Sequence, residues 1–196
     1  MHWTARDGGY CSRICPVKAI SNRDNHVGWW YRSAIRTGTK MLHARMKVGA
    51  ENSGKLVAKV KKEAKRIAEE ERKKLVLVDG SPGIGCSVVS SLSGASYVIL
   101  VTEPTVSGLH DLQRVYELVE KFRIKAGCIV NKADLNRNKR DDIASYLKKK
   151  GIDHLADIPY DETFTRAMVS GKTMAEFTGS KVREILEETW KKIVNK

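Results

Sequence analysis

The sequence holds no apolar run near the roughly 20 residues that a membrane-spanning helix requires, so no helical span is expected. Its first residues, MHWTARDGG, lack the basic start, apolar middle and small-residue cleavage site of an export signal, and a cytoplasmic address is the resulting expectation. No internal repeat or low-complexity linker divides the chain. Acidic residues are in short supply, with 23 Asp and Glu against 36 Lys and Arg and a formal net charge of +13. Such an excess can mark a nucleic-acid binder, because lysines and arginines release counterions from phosphates. Much of it, however, lies in stretches such as KVKKEAKRIAEEERKK, where alternating signs describe a solvated helix face. Nucleic acid is therefore not the expected partner. The least balanced stretch is residues 1–50, where nine basic side chains face only Asp7 and Asp24, and an acidic partner would dock there.

What is present fits a domain able to bury a core: 196 residues, 41% of them hydrophobic. From Lys74 onward short β-branched runs alternate with amphipathic stretches: LVLVD, YVILVTE, AGCIVN and HLADIP. That alternation predicts right-handed crossovers and a parallel sheet. Leu109, Leu112, Val115, Tyr116, Val119 and Phe122 share one helical face, Gly151 stops a helix ending in KKK, and Thr173 with Glu176 forms a capping box. Val182, Ile185, Leu186, Ile193 and Val194 line the inner side of a last helix, and Leu56, Val60, Ala64 and Ile67 that of an earlier one. Residues 1–50 differ, with Cys11, Cys15, three tryptophans and two strand-like runs, HVGWWY and MLHARMKV. They read as an appendage or the remnant of an insertion, set apart from residues 51–196.

The sharpest chemical signal is KLVLVDGSPGIGC, Lys74 to Cys86. It reads as a buried strand that leaves Asp79 at its carboxyl end, where open α/β sheets place ligands, followed by glycines that let amides approach a phosphate. Asp79 would hold Mg through a water and the Gly83 amide would sense a terminal phosphate; an ordinary strand-to-helix turn is the alternative. GAENSGK, Gly49 to Lys55, fits the spacing of a phosphate loop but continues with Leu56 where a serine or threonine hydroxyl is needed for Mg. Ser53 reads better as a helix N-cap. Asn131-Lys132-Ala133-Asp134 follows a strand where a base-recognition loop would sit. The Asn131 amide suits either purine edge, Asp134 suits the two donor nitrogens of guanine, and a capped turn is the alternative. Ile158-Pro159-Tyr160-Asp161-Glu162 would close over the base or simply stop a strand. Cys11 and Cys15 read C-x3-C-P, the tail of a bacterial-ferredoxin motif, but the two preceding ligand positions hold Ala5 and Gly8. Cys86 and Cys128 are expected to be small buried residues.

Taken in order, ENSGKLV, VDGSPGIGC, VTEPTVSGLHDLQRV, IVNKADLN and IPYDE resemble the MinD/ParA-like, deviant-Walker P-loop ATPases, specifically the subfamily with an inserted ferredoxin domain. The resemblance covers residues 10 to 178, and it implies that residues 1–50 are the remnant of a ferredoxin-like insertion with connecting strands and residues 51–196 the carboxyl-terminal part of a MinD-like nucleotide-binding domain. It implies an α/β, parallel-sheet P-loop NTPase fold with helices on both faces, incomplete here, and an ATP-gated homodimer coupled to iron–sulfur or redox chemistry. It makes Asp79, Ser81, Pro82 and Gly83 switch II, and sets Asn131 and Pro159, with Lys132 and Asp134 alongside, at a base that is adenine in that family.

Two departures qualify this. The family's lysine-rich phosphate loop and switch I aspartate have no counterpart among the 196 residues, and only Cys11, Cys15 and Pro16 of the second cluster motif are present. A [4Fe-4S] cluster would need ligands from elsewhere. Most ATP affinity in such folds comes from amides and a lysine around the phosphates, so weak or no ATPase activity is expected. Alternatives are a non-catalytic module that assembles with a loop-bearing partner chain, and a ParA-like DNA-associated protein.

Overall fold

A computed structural model describes residues 2–5, 10–21, 25–50, 53–177 and 181–195. The chain forms two compact units, Met1–Ser93 and Gly94–Lys196.

In the first unit β1 (His2–Ala5), β2 (Asn25–Ala34) and β3 (Lys40–Met46) form an antiparallel sheet in that order, and α1 (Tyr10–Ile14) lies between the first two in sequence. The two strand-like runs expected before residue 50 are thus the β2–β3 hairpin, turned at Gly38 with φ 79°. Gly28 permits close pairing, since a Cβ there would meet the Arg45 carbonyl. Val27 and Trp30 are buried. Helix α2 (Ser53–Glu70) packs on β3 and on α3 (Cys86–Leu92). Its outer face carries the expected charge ladder, including Lys59–Glu63 at 2.7 Å and Arg66–Glu70 at 2.5 Å. Lys61 Nζ donates to the carbonyls of Ser90, Ser91 and Ser93 at 2.9, 2.5 and 2.7 Å, supplying donors to the open end of α3.

The second unit is a parallel sheet, β4 (Tyr97–Thr102), β5 (Lys125–Asn131) and β6 (Asp153–Ile158), in the order β4-β5-β6. Helix α4 (Val106–Lys121) joins β4 to β5, and α5 (Arg137–Lys150) joins β5 to β6. Then α6 (Thr163–Val169), a 3₁₀ turn at Met174–Glu176 and α7 (Lys181–Val194) follow. Val119, Cys128, Val130, Ile143 and Leu147 are among the most deeply buried side chains here. Ile129 packs instead with Ile158, Ala167, Met174 and Val182 from the later elements. Side chains alternate along a strand, so β5 is covered on both faces. Thr105 caps α4 by accepting from the Gly108 amide at 2.8 Å, and two expected signals hold: Gly151 ends α5 at φ 67°, and the Thr173 amide donates to Glu176 Oε2 at 2.9 Å. The last opens only a single turn.

Two expectations need correction. Val194 is exposed, and the inward position of α7 belongs to Thr189, whose hydroxyl donates to the Ile185 carbonyl at 2.6 Å. A satisfied hydroxyl can be buried where the helical spacing demands a small residue. Cys86, the first residue of α3, is exposed, whereas Cys128 is buried as expected.

Burial, with a smaller contribution from the Asp157 charge, pushes the Cys128 thiol up to about 12. Burial and the hydrogen bond to Asp153 also raise Tyr97. Both groups hold a proton in the folded state beyond the pH at which an unfolded chain releases it. Their stabilisation is therefore full below their ordinary values and is lost as pH rises through the folded ones. The urea midpoint is expected to fall between about pH 9 and pH 12. In the native protein at neutral pH, a thiol reagent should titrate Cys11, Cys15 and Cys86, and reach Cys128 only on denaturation.

Candidate functional site

The carboxyl ends of the three parallel strands carry three loops, where an open α/β sheet places its ligand. Strand β4 ends before Glu103, β5 ends at Asn131, and β6 ends at Ile158. Lys132 adopts φ 54°, a left-handed conformation, and its Nζ lies 2.7 Å from Glu103 Oε1. The Ala133 amide donates to the Ile158 carbonyl at 3.0 Å, and the Tyr160 amide donates to Asp134 Oδ1 at 2.7 Å. The NKAD loop and the Pro159 segment are therefore bonded in both directions. A cavity of about 350 Å³ lies against them, lined by Ala133, Asp134 and Pro159 and by Arg137, Arg140 and Asp157.

The far wall of that cavity is a charge cluster anchored to the sheet. Arg140 Nε donates to Asp157 Oδ2 at 2.8 Å, its terminal nitrogen bonds the same oxygen, and another donates to Asp141 Oδ1 at 2.9 Å. These bonds, the one to Asp157 foremost, raise the Arg140 pKa. His154 Nε2 lies 2.8 Å from Asp157 Oδ1. The cluster ties α5 to β6 beside the loops, and Asn136 caps α5 by accepting from the Lys139 amide at 3.0 Å. Arg140 and Asp157 lie 17 residues apart in sequence, and no motif points to them.

The residues matched to switch II lie in the first unit. Asp79, Ser81, Pro82 and Gly83 are exposed, Gly83 has φ 84°, and the loop runs through Gly85 into α3. Among the described residues Asp79 makes no hydrogen bond or ion pair. The expectation of a buried strand before it is wrong: Leu75, Val76, Leu77 and Val78 are 48, 42, 72 and 39% exposed and belong to neither sheet. A strand's burial is conferred by neighbours on its edges and faces, and none of the described strands pairs with this run.

In GAENSGK, Glu51 and Asn52 fall outside the described residues. Ser53 is the first helical residue of α2, so the cap position also lies outside them. Gly54 serves helix packing: a Cβ there would lie 3.1 Å from the Cys86 carbonyl oxygen and from Ser90 Oγ. Cys11 and Cys15 are unpaired thiols on and just after α1, and Gly8 lies outside the described residues. Among the described residues no cluster of three or more His, Cys, Asp or Glu side chains could hold a metal ion, and no helix is long and apolar enough to cross a membrane.

No protein-family model matches the chain. Two uncharacterized proteins of Methanocaldococcus jannaschii are similar in sequence. One is 28% identical over 166 residues, 85% of this chain and 54% of the relative; the other is 30% identical over 142 residues, 72% and 48%. The chain thus spans about half the length of the curated relatives it matches.

Among solved structures, the MinD cell division protein of Aquifex aeolicus superposes with a TM-score of 0.65 at 20% identity, over 84% of this chain and 69% of that one. The cell division ATPase MinD of Pyrococcus furiosus gives 0.59 at 22% identity, over 74% and 59%. The septum site-determining protein MinD of Pyrococcus horikoshii, complexed with Mg-ADP, gives 0.57 at 19%, over 74% and 58%. The fold is that of the P-loop NTPases. Within that class it is MinD-like.

Proposed function

We propose that this chain carries the base-binding side of a MinD-type adenine-nucleotide switch, with the phosphate-binding side represented only by the Asp79–Gly83 loop. The observation that carries the reading is the pair of reciprocally bonded loops, NKAD and Pro159–Tyr160, against a cavity of about 350 Å³ at the strand ends of a MinD-like fold. Asn131 and Pro159 would hold the base, with Lys132 and Asp134 fixing the loop that presents them. Bound Mg would neutralise charge on the phosphates. Asp79 would orient it through a water and Gly83 would offer its amide, once a phosphate loop is supplied.

Without such a loop the chain binds ATP weakly and hydrolyses it slowly or not at all. Titration with Mg-ATP, followed by amide chemical shifts, is expected to saturate with a dissociation constant of about 1 mM or weaker. Asn131→Ala should abolish the shifts and Asp79→Ala should leave them. A folded chain whose strand-end amides never respond to ATP would overturn the reading. The link to iron–sulfur or redox chemistry, and to a homodimer, rests on the resemblance, with Cys11 and Cys15 as the cluster-motif residues present.

A second reading has an observation of its own. The exposed aliphatic run Leu75–Val78 suits a module that completes its sheet on another chain, either a second copy or one bearing the phosphate loop.

A further inference from the structure

The β2–β3 hairpin has two faces of different character. Helix α2 lies on one: Lys59 Nζ is 5.6 Å from the Trp30 ring centroid, and Arg32, two residues along the strand, bonds Glu71 just past the helix at 3.1 Å. Side chains alternate along a strand, so Trp29, Tyr31 and Ser33 point away from α2, and the register sets Arg45, His43 and Met41 beside them. The contacts agree. The Tyr31 and His43 rings stack with centroids 5.1 Å apart and planes 21° from parallel, and Ser33 Oγ lies 3.0 Å from His43 Nε2. Lys47 Nζ sits 5.8 Å from the Trp29 centroid. His43 therefore backs one side of the Tyr31 ring, while Tyr31 remains 38% exposed and Arg45 is exposed across from Trp29. Residues 25–50 contain five Lys and Arg and no Asp or Glu.

An aromatic ring held flat from behind, with cations beside it and no carboxylate on the hairpin, has a definite complement. Every nucleobase has a π face to lay on such a ring, and the phosphate that follows it meets a cation. In a duplex those faces are already stacked on one another, so a single strand alone offers both. An acidic peptide offers only the charge. We propose that the outward face of the β2–β3 hairpin binds single-stranded nucleic acid, with a base stacked on Tyr31 and the backbone phosphates on Arg45 and Lys47. The surface lies in the first unit and does not rest on the adenine-nucleotide reading.

Fluorescence anisotropy of a labelled oligothymidine of about 12 nucleotides, titrated with the whole chain at a series of salt concentrations, tests it. Tyr31→Ala should weaken binding at least about fivefold, and Tyr31→Phe, which keeps the ring, less than about twofold. Arg45→Gln and Lys47→Gln should each lower the slope of log affinity against log salt by about 0.7. Lys148→Gln, at the end of α5 in the other unit, should change neither. Full affinity in Tyr31→Ala, an unaltered salt slope in the Arg45 and Lys47 variants, displacement of the strand by polyglutamate at matched charge, or no binding at low salt by the folded chain would each overturn the proposal.

Discussion

Gly127→Ala is expected to lower the melting temperature by roughly 10–20 °C, corresponding to about 2–4 kcal/mol in a unit of this size. Gly127 sits in the middle of β5, between Ala126 and Cys128, both buried. Above it the Tyr97 hydroxyl crosses from β4 to donate to Asp153 Oδ2 on β6 at 2.9 Å. A Cβ at residue 127 would overlap that hydroxyl and lie 2.7 and 2.8 Å from Leu155 Cδ1 and Cγ. Overpacking and loss of the crossing hydrogen bond therefore arrive together. Because the clash is shared, Tyr97→Phe should cost less in the Gly127→Ala background than in wild type. A melting temperature within 2 °C of wild type, judged against the roughly 4 °C or more per kcal/mol typical of such units, would show that β5 has room the structure denies.

The second large effect concerns association. Wild-type chain is expected to self-associate in a concentration-dependent way through Leu75–Val78, and Leu77→Lys to weaken that association at least about tenfold. Leu77 is 72% exposed, so the charge meets solvent in the monomer and should leave its stability within about 0.5 kcal/mol of wild type. Four consecutive aliphatic residues with both faces open are a template for strand addition. Sedimentation of both proteins across a concentration series reads the difference. A wild type that stays monomeric throughout would show that this run recruits no second copy.

The same run shows where sequence legibility ends. LVLVD and YVILVT are alike as text, yet only the second is a strand, because β4 pairs with β5 along Tyr97–Lys125 to Thr102–Val130. A run's own residues state its preference, and its neighbours decide whether the preference is met. The parallel sheet from residue 97 onward was legible because each β-branched run is bounded by turn residues and followed by a helical stretch. The loops at Asn131 and Pro159 were legible by position on that sheet. The bond joining them was not, since Asp134 and Tyr160 carry no shared pattern, and neither do Arg140 and Asp157. Cys86 was misjudged because a cysteine at a helix start takes its exposure from the loop before it, and that loop is open. Gly54 was legible only as a motif letter, while its cause is the approach of α3.

A strand-end base site that lacks a working phosphate site should hardly distinguish ATP from adenosine. Comparing the affinities of ATP and adenosine for the whole chain, in the presence of Mg, tests it most directly. The account predicts that both saturate the same strand-end amides, with affinities within about threefold, less than 1 kcal/mol apart. ATP binding tenfold or more tighter than adenosine, or adenosine failing to bind a folded chain at all, would contradict it.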